Sequence, residues 1–281
     1  MIHSADFREW IDVQPTLLGD EWLAGLEDRK QAEADFHDSD RAGHRDEQPD
    51  STPNRRFYEA ATVVSAFIDD WIAEHAPGRV FLDYACGNGV CAIAAANAGA
   101  ELAVGIDISA VSVNNAAESA KGEGVGAVTR FLQRDCESTT LPAGSIDVCL
   151  CSGMLHHLDL NLAFPELFRI LAPGGRILAV EALAYNPVIR WYRRRSPELR
   201  TEWEAQHILS LREVSLARRW FEIGTIRYFL MAAPLATLLP RGPLRIVGLR
   251  AGHLADAVLT RVPFLNRLSW QFTFELIKPR G

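Results

Sequence analysis

A chain of 281 residues, 48% hydrophobic and 23% charged, can bury one large core with an appended segment, or two small cores. Its net charge of −7 argues against a protein mainly occupied in neutralising nucleic-acid phosphates and points to a small or neutral partner. The first 25 residues lack a basic start followed by an apolar core, and no apolar run approaches about 18 residues, so a cytoplasmic protein with no secretory signal and no membrane span is expected.

Residues 1–54 read as a helical and flexible N-terminal extension. They are polar, hold one or two short helices over about 20–38, and end in a loop, DSDRAGHRDEQPDSTPN, too poor in apolar groups to fold alone. A helix is expected over 55–76, where apolar residues from Phe57 to Ile72 recur at three- and four-residue steps until Pro77 and Gly78 stop it. The pattern then becomes short apolar runs alternating with helical segments, from RVFLDY through LAVGIDIS, VTRFLQRD and SIDVCLCSG, then the helical LAFPELFRILAPGG, to RILAVEALA. Such alternation means parallel βαβ units with helices on both sheet faces, and functional loops at the carboxyl ends of the strands. Gly99 closes one helix and Ser109 opens the next. Past Asn186 and Pro187, an Arg- and Trp-rich helical segment runs to about 219, a strand covers 220–233, a proline-broken apolar stretch follows, and SWQFTFELIKP alternates as a final strand. The fold class is therefore α/β, doubly wound and mostly parallel, with its core over 55–185. Residues 186–281 complete the sheet and insert a lid.

FLDYACGNGV sets Asp83 four positions ahead of a Gly-Asn-Gly turn. A Gly-x-Gly turn between strand and helix lets backbone amides approach a ligand where a Cβ would obstruct it. GNGVCA also fits the relaxed dinucleotide fingerprint, with Asp107 lying 18 residues beyond Gly89, so a nicotinamide enzyme stays open at this point. A nearby carboxylate, however, repels a pyrophosphate and attracts a positive amino-acid end. S-adenosylmethionine, with an ammonium, a sulfonium and no phosphate, suits an acid followed by a glycine turn. The five cysteines, Cys86, Cys91, Cys136, Cys149 and Cys151, have no metal-ligand spacing and read as reduced packing residues.

FLDYACGNG, VGIDIS, QRDCESTTLP, IDVCLCSGMLHHL and LFRILAPGGRILAVE occur in that order within about 55–185. Together they resemble the class I S-adenosylmethionine-dependent methyltransferases, and SGMLHHL with LAPGG is most similar to the ubiquinone/menaquinone-type and small-molecule branch. The resemblance implies a Rossmann-like sheet of seven strands with S-adenosylmethionine as cofactor. It implies that Cys86, Gly87, Asn88 and Gly89 pass the cofactor's amino-acid end, that Asp83 holds its ammonium, and that Asp107, beside Ile108, takes both ribose hydroxyls. Asp135 and the Cys136 amide would take the adenine, Ser152 would line the methionine portion, and Tyr58 would close over the cofactor. Asp107 and Asp135 could instead cap the helices that follow them, and Tyr58 could be core packing.

Methyl transfer is an in-line displacement, so alignment is the main task and can supply as much as ~7–11 kcal/mol. His156 and His157 follow the fourth strand, in the loop that faces the transferring methyl in relatives, and Glu181 ends the fifth. Any of the three could act as base, and Glu181 could stabilise a carbocation; the histidines could equally orient a loop. Acceptor contacts are expected from Tyr185, Trp191, Arg193 and Trp203, in and beside NPVIRWYRRRSPELRTEWE, a stretch that also resembles extensions on some natural-product and isoprenoid methyltransferases. Its arginines and aromatic faces suit an anion on a flat or isoprenoid body, or else pair with Glu198, Glu202 and Glu204 along a helix surface. The expected activity is methylation, at carbon or oxygen, of a small and largely apolar acceptor in natural-product (secondary) metabolism. Carbon methylation of an isoprenoid or prenyl diphosphate, and a non-catalytic cofactor binder, are the alternatives. No metal is expected, although a diphosphate substrate could bring Mg²⁺. A homo-oligomer is expected, with the apolar lid over 231–269 excluding water or burying a partner subunit.

Overall fold

The computed structural model describes residues 4–42, 55–195 and 201–280. Most of the loop expected before residue 55, and Glu198, lie outside the described residues. Helices α1 (Ser4–Asp12), α2 (Gly19–Ala24) and α3 (Asp28–Arg41) come first. The expected single helix over 55–76 is instead α4 (Arg55–Tyr58) and α5 (Thr62–His75). Between them the amides of Ala60 and Ala61 bond back three residues, to Phe57 and Tyr58, which tightens the turn and buries Ala60.

The winding that follows is β1 (Val80–Tyr84), α6 (Val90–Asn97), β2 (Leu102–Asp107), α7 (Ala110–Gly122), β3 (Thr129–Gln133), β4 (Ile146–Ser152), α8 (Leu160–Ile170) and β5 (Leu171–Ala182). A 3₁₀ turn, Leu155–His157, lies between β4 and α8. The LAPGG stretch, expected to end the helical segment, instead opens β5, with a register shift against β4 between Ile146 and Val148. The expected helical segment to 219 is broken into α9 (Pro187–Arg195), α10 (Glu202–Gln206) and α11 (Leu211–Ala217). Thr201 and Ser210 each cap a fresh start, Ser210 through a capping box with Glu213. The chain ends with β6 (Glu222–Phe229), α12 (Ala233–Ala236), α13 (Pro243–Leu259) and β7 (Gln271–Ile277).

All seven strands form one sheet in the order β3-β2-β1-β4-β5-β7-β6. β1 to β5 are parallel, and β7 runs antiparallel to β5 and β6. Every residue of β1 and β2 is buried, because both faces are covered. Val80, Leu82, Val104 and Ile106 pack in one core with α8 and α11; Phe81, Ala103, Leu150 and Leu178 pack in the other with α5, α6 and α7. The first of these cores also contains Phe7 and Ile11 of α1, so the N-terminal extension is anchored under the sheet. Burying each of those side chains stabilises the fold by about 1.5–3 kcal/mol. Strand order reverses between β1 and β4, which opens a crevice at the carboxyl ends of the strands. No helix among the described residues is long and apolar enough to cross a membrane.

Candidate functional site

At the tip of β1 the backbone turns sharply: Ala85, Gly87 and Gly89 all have positive φ, and the Cys86 amide donates to the Ile106 carbonyl at 2.8 Å. The two loop glycines serve different ends. A Cβ on Gly89 would come within 2.7 Å of Ala116 and 2.8 Å of Phe131, so Gly89 lets α7 and β3 close in. A Cβ on Gly87 would meet the Arg41 guanidinium at 3.2 Å, and this is the side on which a ligand could replace a flexible side chain. Asn88 accepts from Asn115 at 3.4 Å, and the buried Cys86 thiol packs toward Gly105. Behind the turn Asp83 is buried, and one of its oxygens accepts from the Ala92 amide at 3.1 Å. Burial pushes its carboxyl up to about 7, the Ala92 amide pulls back, and Asp107 adds repulsion. A carboxylate held this way suits an ammonium ligand.

A cavity of about 120 Å³ lies at the strand tips. Of the residues expected to bind cofactor, Asp107, Ile108, Asp135, Cys136 and Ser152 line it; Asp83, Cys86, Gly87, Asn88 and Gly89 do not. Asp107 accepts from the amides of Gly87 (2.8 Å) and Ser109 (2.9 Å). The cap of α7 is Ser109, and Asp135 precedes a turn closed by Ser138, so neither aspartate is a helix cap. Asp135 accepts from the Glu137 amide at 2.8 Å and from Lys30 Nζ at 2.7 Å.

Helix α3 forms the opposite wall, through Arg29, Lys30, Glu33, His37 and Arg41, and none of these was foreseen. The three- and four-residue steps from Lys30 through Glu33 and His37 to Arg41 were the available signal, a polar stripe on one helix face. Lys30 also reaches Glu137 at 2.8 Å, and Arg41 Nη1 stands 3.7 Å from Asp107. Asp38 accepts from the Ser109 hydroxyl and the Val111 amide, tying α3 to the start of α7.

The histidine pair divides its work. Glu181 is 1% exposed, and its Oε1 accepts from the amides of Met154 (3.0 Å) and Leu155 (2.6 Å) while Oε2 meets His156 Nδ1 at 2.6 Å. His156 Nε2 lies 3.7 Å from Glu204, which Arg193 holds at 3.0 Å. Burial pulls the His156 imidazole down, but Glu181 and then Glu204 overcome this and raise it to about 9. His156 is therefore charged at neutral pH with both nitrogens facing carboxylates. It and Glu181 are outside the cavity lining and hold the loop in place, in contrast to the expectation that they face the cleft. His157 does line the cavity, and its Nδ1 lies 2.9 Å from Glu33, whose other oxygen accepts from the Thr201 hydroxyl. Burial raises the Glu33 carboxyl, but the His157 contact outweighs it and leaves Glu33 below its usual range.

No metal was expected, yet the fold gathers two groups of donors, Glu33 with His37 and His157, and His156 with His157 and Glu204, each within 4.8 Å of one another. Tyr58 is not a cavity residue; it stands half exposed, edge-on to Trp270 at 5.5 Å. Among the expected acceptor contacts, Trp203 comes near the α3 wall, with the Arg29 guanidinium 4.6 Å over its ring, and Arg193 reaches the site through Glu204. Tyr185 and Trp191 lie further out, both exposed, under Arg267 and Arg195 respectively.

Residues 82–179 match the family model described as a methyltransferase domain. A demethylmenaquinone methyltransferase of Thermus thermophilus is 36% identical over 115 residues, 40% of this chain and 50% of that protein. A ribosomal protein L11 methyltransferase of Azotobacter vinelandii is 29% identical over 133 residues, 47% of this chain and 44% of that protein. The matched region thus spans about half the length of these curated relatives. Among solved structures, a geranyl diphosphate C-methyltransferase from Streptomyces coelicolor superposes with a TM-score of 0.63 at 13% identity, covering 91% of this chain and 100% of that one, a likeness of fold.

Proposed function

We propose, from residues 82–179 matching the family model described as a methyltransferase domain, that the protein is a class I S-adenosylmethionine-dependent methyltransferase acting on a small, largely apolar organic acceptor. The observation that carries this reading is the set of acids at successive strand tips: Asp107 and Asp135 in one cavity, paired with Arg41 and Lys30, and Asp83, itself without an ion pair among the described residues, buried behind the glycine turn. Asp107 takes the ribose hydroxyls, Asp135 and Cys136 the adenine edge, and Ser152 lines the methionine portion. Asp83 and the Gly87 turn take the ammonium. When bound, S-adenosylmethionine supplies an electrophilic methyl on a sulfonium. A cavity of about 120 Å³ is smaller than the ~300–1,000 Å³ of ordinary ligand pockets. Loading therefore moves α3 outward, and Lys30 and Arg41 give up their places at Asp135 and Asp107.

His157 is the acid–base group of this site. Glu33 fixes its ring and tautomer, and it receives the proton of an acceptor hydroxyl or activated C–H. Glu181 is fully engaged by His156 and two amides, so a proton-transfer route is better supported than cation-driven chemistry on an isoprenoid. S-adenosylhomocysteine is expected to raise the melting temperature while NAD does not; the reverse would remove the reading. A radiolabelled methyl donor should pass its label to some member of a lipophilic acceptor panel, and tight binding without any transfer would favour an inert binder. His157→Ala is expected to lower kcat by ~10²–10⁴-fold, with S-adenosylhomocysteine affinity nearly unchanged. Glu181→Gln loosens the His156 loop and lowers kcat less. Full rates in both variants would eliminate these assignments.

A further inference from the structure

The stretch before β7 differs from the rest of the chain in charge and in exposure. Residues 231–270 carry five arginines and one aspartate, within a protein of net charge −7. The aspartate, Asp256, is buried and accepts from the amides of Met231, Ala232 and Ala233. Arg245 is engaged by Glu59 at 2.9 Å and the exposed Arg241 stands 3.7 Å from the same carboxylate, whereas Arg250, Arg261 and Arg267 are exposed. In the same stretch stand ten of the eighteen large apolar side chains exposed among the described residues. A soluble monomer rarely shows so much contiguous apolar surface without a use for it.

Helix α13 organises this surface. Leu244, Val247, Ala251, Leu254 and Val258 follow one another at steps of three and four, which places them in a single stripe. Leu254 is 74% exposed, and Leu244, Val247 and Val258 are each above 60%. The stripe has no way to turn inward, because the helix is pressed onto α12 through its glycines. A Cβ at Gly252 would come within 2.5 Å of the Ala233 backbone, and one at Gly248 within 3.1 Å of Ala236. Arg250 stands on the helix three residues after Val247 and four before Leu254, and Arg261 lies just past the helix end. Past the helix, Phe264 is 77% exposed, with the Arg267 guanidinium 5.3 Å over its ring.

An apolar stripe edged by guanidiniums, with no exposed acid in 231–270, is complementary to a surface of anionic phosphates over hydrocarbon. A second copy meeting the same face would set arginine edge against arginine edge. Nucleic acid would use the arginines and leave the stripe in water. We propose that the α12–α13 lobe docks the protein on anionic lipid bilayers, lying in the interface without crossing it. The lobe joins the chain leading to α9, through the Asn186 side-chain Nδ2 donating to the Leu268 carbonyl at 2.6 Å and Arg267 over Tyr185. Docking thus holds the acceptor side of the molecule near the bilayer, and only this last consequence rests on the methyl-transfer reading.

The test is flotation of the full-length protein with phosphatidylcholine vesicles that contain roughly a third phosphatidylserine, and with pure phosphatidylcholine vesicles. Binding is expected to the former, to weaken with added salt, and to be at least tenfold poorer for pure phosphatidylcholine. Leu254→Glu with Val258→Glu should abolish it, and Arg250→Glu or Arg261→Glu should each weaken it about fivefold or more. All four positions are exposed, so S-adenosylhomocysteine affinity serves as the control for folding and is expected to stay unchanged. Absence of flotation, flotation indifferent to these substitutions, or equal binding to both vesicle types would overturn the proposal. So would a lipid-free dimer, seen by light scattering, that Leu254→Glu dissociates, since the stripe would then belong to a second copy. Failure of the wild-type protein to bind S-adenosylhomocysteine would strike the methyl-transfer reading and leave the lipid result standing.

Discussion

Asp107→Ala is expected to weaken S-adenosylhomocysteine binding by at least tenfold, measured by isothermal calorimetry. The carboxylate is 4% exposed, and its plane is set before any ligand arrives by the Gly87 and Ser109 amides, one on each oxygen. Each carboxylate oxygen has a second lone pair, so the free positions can serve two vicinal hydroxyls. A charge-assisted hydrogen bond is worth about 1.5–3 kcal/mol, so losing even one reaches tenfold. The alanine variant also leaves the Gly87 and Ser109 amides without their acceptor, so its melting temperature must be followed alongside. A folded Asp107→Ala protein with unchanged affinity would show that the aspartate only shapes the loop.

Asp83→Asn is expected to act in opposite directions on stability and on binding. Burial raises the folded-state carboxyl from 3.8 to about 7, so between those values the folded state holds a proton that the unfolded state has lost. The wild-type protein therefore loses stability as pH rises from about 4 to about 7, by on the order of 4 kcal/mol at most, and stays at that lower level above pH 7. Asparagine keeps an acceptor for the Ala92 amide and carries no charge. The variant should thus melt higher than wild type at pH 8, with the gap closing toward pH 4. If Asp83 receives the cofactor's ammonium, the same substitution weakens S-adenosylhomocysteine binding at pH 8, and wild-type affinity falls as pH drops below 7. A variant that melts lower at both pH values would contradict the burial argument; unchanged affinity would remove the ammonium role.

Much of the cofactor side was legible because it depends on short-range rules. Asp83, Asp107 and Asp135 each follow an apolar run of β character, and parallel winding must bring such strand tips to one edge. Gly87 and Gly89 looked equivalent in the turn. Their difference depended on Ala116 and Phe131 packing against one, while the other meets only the movable Arg41 guanidinium. The catalytic side was far less readable. His156 and His157 are adjacent in sequence, yet one is locked between Glu181 and Glu204 while the other meets Glu33, 124 residues away. Tyr58 was placed by analogy, and a tight turn at Ala60 leaves it against Trp270.

By itself the sequence determined the strand and helix alternation of the central β1–β5 winding, the parallel sheet, and the acids at its strand tips, because hydrophobic period and turn chemistry act over a few residues. Only the tertiary structure decided that α3 crosses the cleft, which histidine faces it, and that the apolar stripe of α13 points outward. Each of these turns on contacts between distant segments. The last shows why: periodicity identifies an apolar face of α13, but it is the close approach of Gly248 and Gly252 to α12 that makes the glycine side the inner one.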